Sequence, residues 1–138
     1  MTNEMTIEEL IEEFEELGDW VDQCEVLIDM GKEMSPMDDA LKLEDTKVHG
    51  CQSNVWMVAE FKDTRIELIA DSDAMIVRGL LTVILMLYSG RTAEEILAVD
   101  VHSVFDRLGL NRHLSIARKN GLSGMVSRVR QIAVNSLM

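Results

Sequence analysis

The sequence predicts an α+β fold in which a small antiparallel β-sheet is flanked by helices. Near both ends of the chain, apolar residues recur at intervals of three and four, which is typical of amphipathic helices. Between them, residues 55–61 and 65–70 alternate in polarity on either side of a turn at Lys62-Asp63-Thr64, which predicts a β-hairpin. Because helical and strand segments form separate blocks, we expect an α+β rather than an alternating α/β arrangement.

Two helices are predicted before the hairpin. A capping box at Thr6 and Glu9 opens the first helix, and Gly18 is well placed to end it. Asp19 opens the second helix, whose apolar face we expect to include Trp20, Cys24, Leu27, Ile28 and Met34. Because Cys24 falls on this stripe, we interpret it as a packing residue rather than a nucleophile.

The middle of the chain carries the predicted sheet and the central helix. Ser35-Pro36 ends the second helix, an irregular acidic loop follows, and a short strand before Gly50 is expected to be the third strand. Asp71-Ser72-Asp73 offers capping side chains for a helix over residues 74–89. This segment is apolar nearly all round except for Arg78, so we expect it to be the core helix.

Three helical segments are predicted after the core helix. Thr92 and Glu95 form another capping box, and a further short helix runs from 103 to 108. A turn at 118–121 is expected to lead into a last amphipathic helix that buries Leu122, Met125, Val126, Val129 and Ile132.

Length and composition narrow the class of protein. The 138 residues suit a single domain over 1–138, and an apolar fraction of 47% indicates a folded core. A net charge of −12 argues against general nucleic-acid binding, which requires a basic surface. The acidic opening residues predict no secretory signal, and the apolar run 79–88 is too short to cross a membrane. Two cysteines predict neither a disulfide framework nor a zinc site, so we expect a cytoplasmic protein.

Charge is divided unevenly along the chain. Residues 1–45 hold 16 of the 25 acids, whereas residues 107–130 hold six bases and no acid. Two interpretations stay open: the two regions attract each other within the domain, or the basic region docks a partner.

The stretch from Val48 to Trp56 is the strongest candidate site. Gly50 permits a sharp backbone turn, and Cys51 follows it just before the predicted strand, where loops commonly display reactive groups. Gln52 and Ser53 supply polar groups that can stabilise a turn or bind an anion. Free cysteine is also among the most buried residue types, so a reactive and a buried interpretation of Cys51 both remain.

A thiol that hydrolyses substrates needs a base and an orienting group. His49 lies two residues from Cys51, and a strand-like backbone would place both side chains on one side; no spacing singles out His102 or His113. No compact cluster of metal-ligating residues is present, so no metal site is predicted. A lone thiol can instead attack sulfur, since that exchange needs only a thiolate and access. This chemistry favours a carrier over an enzyme.

From its first helix to Ala133, the chain resembles the SufE family of sulfur-acceptor proteins. The resemblance is carried by four segments: Val48-His49-Gly50-Cys51-Gln52-Ser53-Asn54-Val55-Trp56, Asp71-Ser72-Asp73-Ala74 with Ile76-Val77-Arg78-Gly79-Leu80, residues 85–88, and Arg118-Lys119-Asn120-Gly121-Leu122 with Met125. The resemblance implies the sheet-and-helix fold shared with the iron–sulfur scaffold IscU.

The resemblance also implies a role. A SufS-type cysteine desulfurase, which carries pyridoxal phosphate, would hand persulfide sulfur to Cys51, and this chain would stimulate that enzyme and pass sulfur to a SufBCD-type scaffold. The chain would then be a carrier without a cofactor of its own, and an exposed apolar face would allow a homodimer. Residues implied to support Cys51 are His49, Gly50, Gln52, Ser53, Asp73 and Arg118; His49 sits where family members vary.

Two other functions stay open beside the carrier. A stand-alone thiol enzyme, of the peroxidase or hydrolase type, would use Cys51 with a lowered thiol pKa and no partner. A non-catalytic adaptor would bind its partner through charge alone. A cluster scaffold is disfavoured, because IscU-like scaffolds use three cysteines and an aspartate and this chain has two cysteines.

Overall fold

A computed structural model describes residues 5–138; part of the opening stretch on which the prediction of no secretory signal rests lies outside them. The elements in chain order are α1 (Ile7–Leu17), α2 (Trp20–Glu33), β1 (Val55–Lys62), β2 (Arg65–Ser72), α3 (Met75–Tyr88), β3 (Arg91–Thr92), α4 (Ala93–Ala98), α5 (Val101–Arg107), α6 (Leu110–His113) and α7 (Ile116–Ser136). Two single turns of 3-10 helix, Asp39–Leu41 and Glu44–Thr46, interrupt the predicted acidic loop. The α+β prediction is confirmed.

The helix α3 is the centre of the core, as predicted. Eight of its residues are buried, including Leu80, Leu81 and Ile84. It crosses α2 with the two backbones in contact, because a Cβ on Gly79 would overlap the carbonyl of Leu27 and a Cβ on Gly31 would overlap that of Met75. The crossing therefore depends on glycine from both helices.

The amino-terminal helices begin as predicted, but the prediction that Cys24 packs in the core is wrong. Thr6 and Glu9 form the reciprocal capping box of α1, and Asp19 caps α2. Cys24 is only half-buried and lies outside the core cluster formed by the described residues.

The sheet has the order β1-β2-β3, and both pairings are antiparallel. A two-residue turn joins β1 to β2, with Asp63 at a positive φ of 59°. The predicted third strand before Gly50 is wrong: that segment makes a single bridge, Lys47 to Trp56, because a 3-10 turn and the Gly50 turn enclose it. The third strand is instead β3.

The predicted capping of α3 by Asp71, Ser72 and Asp73 is also wrong. Asp71 and Ser72 belong to β2, and the N-cap residue of α3 is Ala74, which has no capping side chain. The buried carboxylate of Asp71 accepts the N–H of Met37 at 2.9 Å and pairs with Arg78. Burial alone would raise the pKa of Asp71, but these hydrogen bonds and the Arg78 charge lower it. The pair ties the acidic loop to the sheet.

The carboxy-terminal helices differ from the prediction in their bounds. The capping box at Thr92 opens α4 as predicted, whereas α5 begins at Val101 because Asp100 caps it. The turn predicted at 118–121 is wrong, since these residues lie within the first two turns of α7, which is capped by Ser115. The short helix α6, Leu110–His113, has no counterpart among the predicted elements.

One ion pair connects the acidic and the basic regions of the chain. The guanidinium of Arg107 donates to both carboxylate oxygens of Glu8, at 3.0 and 3.2 Å. This contact joins the acidic and basic regions within the chain, as the first of the two open interpretations expects.

Candidate functional site in the Cys51 loop

Residues 49–53, here called the thiol loop, connect the Lys47 bridge to β1. Gly50 has a φ of 93°, in the left-handed region that favours glycine. A Cβ at this position would meet no atom within 4 Å, so the requirement for glycine is one of backbone conformation. The turn directs Cys51 away from solvent and towards α3 and α7.

The thiol of Cys51 is half-buried in a small cavity. Its Sγ donates a weak hydrogen bond to the carbonyl of Gly121, 3.5 Å away. The cavity has a volume of about 50 Å³ and is lined mainly by Val77 and Leu80 of α3 and by Ala117, Gly121 and Met125 of α7. The close approach favours glycine in α7, because a Cβ on Gly121 would lie 3.3 Å from the sulfur, which would have to shift slightly.

Burial raises the pKa of the Cys51 thiol. Its hydrogen-bond partner is a carbonyl oxygen, which accepts from the neutral thiol and does not stabilise a thiolate. The thiol is therefore mostly protonated and weakly nucleophilic at neutral pH. A stand-alone thiol enzyme requires a lowered thiol pKa instead.

Asp73 anchors the carboxy-terminal end of the thiol loop. Its carboxylate accepts the backbone N–H of Asn54 at 3.2 Å and the side-chain amide of Asn54 at 2.8 Å. Arg118 is exposed on α7 and lines the cavity together with Gln52 and Ser53. The structure thus brings Asp73, Arg118, Gln52 and Ser53 to the loop that carries Cys51.

The amino-terminal end of the loop is anchored by residues that the sequence analysis did not single out. The N–H of Val48 donates to the carbonyl of Val55 at 2.8 Å, and the Val48 side chain is buried. Arg128 of α7 donates to the carbonyls of Lys47 and Asp45, both at 3.1 Å. The sequence feature that could have indicated this anchor is a pair of glycines, at 121 and 124, within a helical pattern that has an arginine one turn later.

The histidines do not join the thiol. His49 is exposed, and its Nε2 lies 3.9 Å from a carboxylate oxygen of Glu44. The expectation that a strand-like backbone places His49 beside Cys51 is wrong, because Gly50 turns the chain between them. His102 is exposed on α5, and the ring of His113 stacks on Trp20 with centroids 4.9 Å apart.

The described part of the chain offers little support for other kinds of site. No three His, Cys, Asp or Glu side chains within residues 5–138 converge as metal ligands would. No helix within the same residues is long and apolar enough to cross a membrane. A larger groove of about 650 Å³ lies between β1 and the end of α7, and Cys51 is not among its lining residues.

Comparison with known proteins identifies the relatives of this chain. The family described as "SufE: Fe-S metabolism associated domain" matches residues 8–133. An uncharacterized SufE-like protein of Rhizobium meliloti is 35% identical over 136 residues, which are 96% of this chain and 97% of the relative. One from Rhizobium etli is 37% identical over 132 residues, covering 93% of this chain and 89% of the relative.

A solved structure has the same fold. The solution structure of a hypothetical protein from Thermus thermophilus superposes with a TM-score of 0.75 and covers 95% of each chain at 20% identity. The matched family spans nearly the whole chain and includes the thiol loop, β1, β2 and the cavity between α3 and α7. The chain therefore belongs to the SufE family, which is associated with iron–sulfur metabolism.

Proposed function

We propose that this protein accepts persulfide sulfur from a SufS-type cysteine desulfurase onto Cys51, stimulates that enzyme, and relays the sulfur to a SufBCD-type scaffold in the cytoplasm. The observation that carries the proposal is a half-buried thiol with a raised pKa, held in a small cavity by a loop with an anchor at each end. Such a thiol reacts slowly in the isolated protein and needs a partner to become reactive. Membership of the SufE family supports the choice of partner.

The transfer step balances without an oxidant. The Cys51 thiolate attacks the outer sulfur of the donor persulfide, forming a sulfur–sulfur bond to Cys51 while the bond to the donor cysteine breaks. The donor cysteine leaves with the electron pair and takes up a proton equivalent to the one that Cys51 loses. The products are a Cys51 persulfide and a free donor thiol, which can start another cycle.

The cavity suits storage of the product. A water molecule needs roughly 10–15 Å³ of comparable space, so a volume of about 50 Å³ leaves room for one more sulfur atom beside Cys51. Val77, Leu80 and Met125 give this space apolar walls. Shelter of this kind limits the access of oxidants and small thiols to a persulfide.

The thiol loop also allows release. Val48 and Asn54 fix its two ends, and between them the thiol of Cys51 is held by one weak hydrogen bond, to the carbonyl of Gly121. Ile116, which directly precedes the cavity-lining residues Ala117 and Arg118 in α7, is 75% exposed. Together with the exposed Arg118 at the cavity, Ile116 offers the desulfurase a mixed apolar and basic contact surface at the start of α7.

Stimulation of the desulfurase tests the proposal. The rate of alanine production from cysteine by a SufS-type enzyme should rise on addition of the wild-type protein and should not rise with Cys51→Ser. Cys24→Ser is the matched control, because Cys24 lies on α2 outside the core cluster and should leave the stimulation unchanged. Equal stimulation by Cys51→Ser would refute the proposal and favour an adaptor that acts by contact alone.

A further inference from the structure

Residues 45–51, which include the first three residues of the thiol loop, form an arm that lies along one face of α7. Three contacts one helical turn apart hold it there: Gly121 beneath Cys51, Gly124 beneath the carbonyl of His49, and Arg128 beneath the carbonyls of Lys47 and Asp45. A Cβ on Gly124 would lie 3.0 Å from the His49 carbonyl oxygen, so backbone meets backbone at this point. The arm and the helix therefore run antiparallel in close contact.

Arg128 supplies two of the polar contacts between the arm and α7. Its two terminal nitrogens reach two different carbonyls of the arm, each at 3.1 Å, and Arg128 forms no ion pair with a carboxylate of the described residues. A planar guanidinium can satisfy two carbonyls at a fixed spacing, which a single ammonium group does less well. Among the described residues, the other side-chain hydrogen bond between the arm and α7 is the weak one from the Cys51 thiol to the Gly121 carbonyl.

We propose that Arg128 is a positioning residue of the thiol loop: by holding the carbonyls of Asp45 and Lys47 it sets the resting place of Cys51 over Gly121 and confines the movement of the loop to residues 49–53. The inference rests on the proposed sulfur-carrier function, because positioning matters only if Cys51 must be sheltered at rest and released to a partner. With Arg128 in place, both ends of the thiol loop stay fixed and only residues 49–53 move. Without it, the arm from residue 45 onwards loosens as well.

Arg128→Met is the variant to test, since methionine keeps much of the apolar contact and removes both donors. Arg130→Met is the matched control: Arg130 lies on the same helix and donates to the carbonyl of Leu97, away from the loop. Two measurements need no partner protein: the alkylation rate of Cys51, and amide hydrogen exchange over residues 45–51 compared with the rest of the chain.

In Arg128→Met we expect Cys51 to be alkylated about ten times faster, equivalent to about 1.4 kcal/mol in the docking equilibrium of the loop. Amide exchange should accelerate over residues 45–51 and stay unchanged in α1 and α3, and a preloaded Cys51 persulfide should be lost to a small thiol faster by the same factor. Arg130→Met should match wild type in all three measurements.

Two outcomes would overturn the inference: unchanged alkylation and exchange in Arg128→Met, or an acceleration spread over the whole chain, which indicates a general loss of stability. Both are separate from the fate of the proposed function. If wild-type Cys51 accepts no sulfur from a desulfurase, the carrier function fails, while alkylation and exchange still decide the role of Arg128.

Discussion

Replacing Gly121 by alanine should have two opposite effects: it should stabilise the helix α7 and make the docked position of the Cys51 thiol less favourable. Gly121 lies inside α7, and alanine at an interior helical position is more favourable than glycine by about 0.8–1.0 kcal/mol. The added Cβ would lie 3.3 Å from the Cys51 sulfur, 3.6 Å from its Cβ and 3.7 Å from its Cα. The substitution therefore favours the helix and crowds the docked thiol.

The thiol loop, rather than the helix, should give way. Overpacking of a close-packed core costs about 1–3 kcal/mol, and we expect the low end here because the loop moves about Gly50. A cost of about 1 kcal/mol lowers the ratio of docked to released loop by roughly five-fold. Gly121→Ala should therefore expose Cys51 about five times more often while the free energy of unfolding stays equal or rises.

Two assays on the same sample measure the two effects: alkylation of Cys51 under native conditions, and urea unfolding followed by far-UV circular dichroism. Ser127→Ala is the control, because Ser127 is an exposed residue of α7 whose replacement changes helix propensity away from the thiol. It should raise stability slightly and leave the alkylation rate unchanged. Slower or unchanged alkylation in Gly121→Ala would refute the description of a thiol docked against this glycine.

Asp73, Cys51 and Arg78 each give a further test. Asp73→Ala removes the carboxylate that holds Asn54, so amide exchange at residues 53–55 should accelerate, by no more than the equivalent of about 1 kcal/mol because the site is exposed; unchanged exchange would contradict the anchor. Because burial raises the pKa of Cys51, its alkylation should show a midpoint above the usual value of about 8.5. The stability linked to this shift is present below that pH and is lost as pH rises through the folded pKa, an alkaline loss that Cys51→Ser should lack. Arg78→Met removes the closest cation from the buried carboxylate of Asp71, which keeps Lys42 at 3.5 Å and the N–H of Met37, so urea unfolding should show a loss of about 3 kcal/mol, the low end for a broken buried pair, and a loss below about 1 kcal/mol would show that the pair is not needed.

Elements with strong local signals were predictable from the sequence. The capping boxes at Thr6 and Thr92 begin α1 and α4, and the alternating segments form the β1–β2 hairpin. The apolar segment after Arg78 is the core helix α3. In each case the residues that determine the element lie within a few positions of one another, so the sequence pattern contains the cause.

The wrong predictions came from contacts between distant residues. Asp71 resembled a helix cap, yet it pairs with Arg78 and the Met37 backbone in the interior. Gly121 resembled a turn residue, yet it lies inside a helix because the Cys51 loop requires space there. A glycine that permits close approach cannot be told from one that permits a turn until the opposing segment is known.

The same limit applied to the candidate site. The motif around Gly50 and Cys51 marks the thiol loop in the sequence, and the structure places that thiol in a cavity. Arg128 was not predictable, because it acts on backbone carbonyls 81 and 83 residues away, and any residue type can supply a carbonyl. The raised pKa of Cys51 likewise depends on burial by α3 and α7.

The central claim is that Cys51 receives and holds one sulfur atom. Intact-mass analysis after incubation with cysteine and a catalytic amount of a SufS-type desulfurase tests it most directly. The wild-type protein and Cys24→Ser should each gain the mass of one sulfur atom, removable by reductant and mapped by peptide analysis to Cys51, while Cys51→Ser should gain none. A gain that persists in Cys51→Ser, or the absence of any gain in the wild type alongside an active desulfurase, would contradict the account.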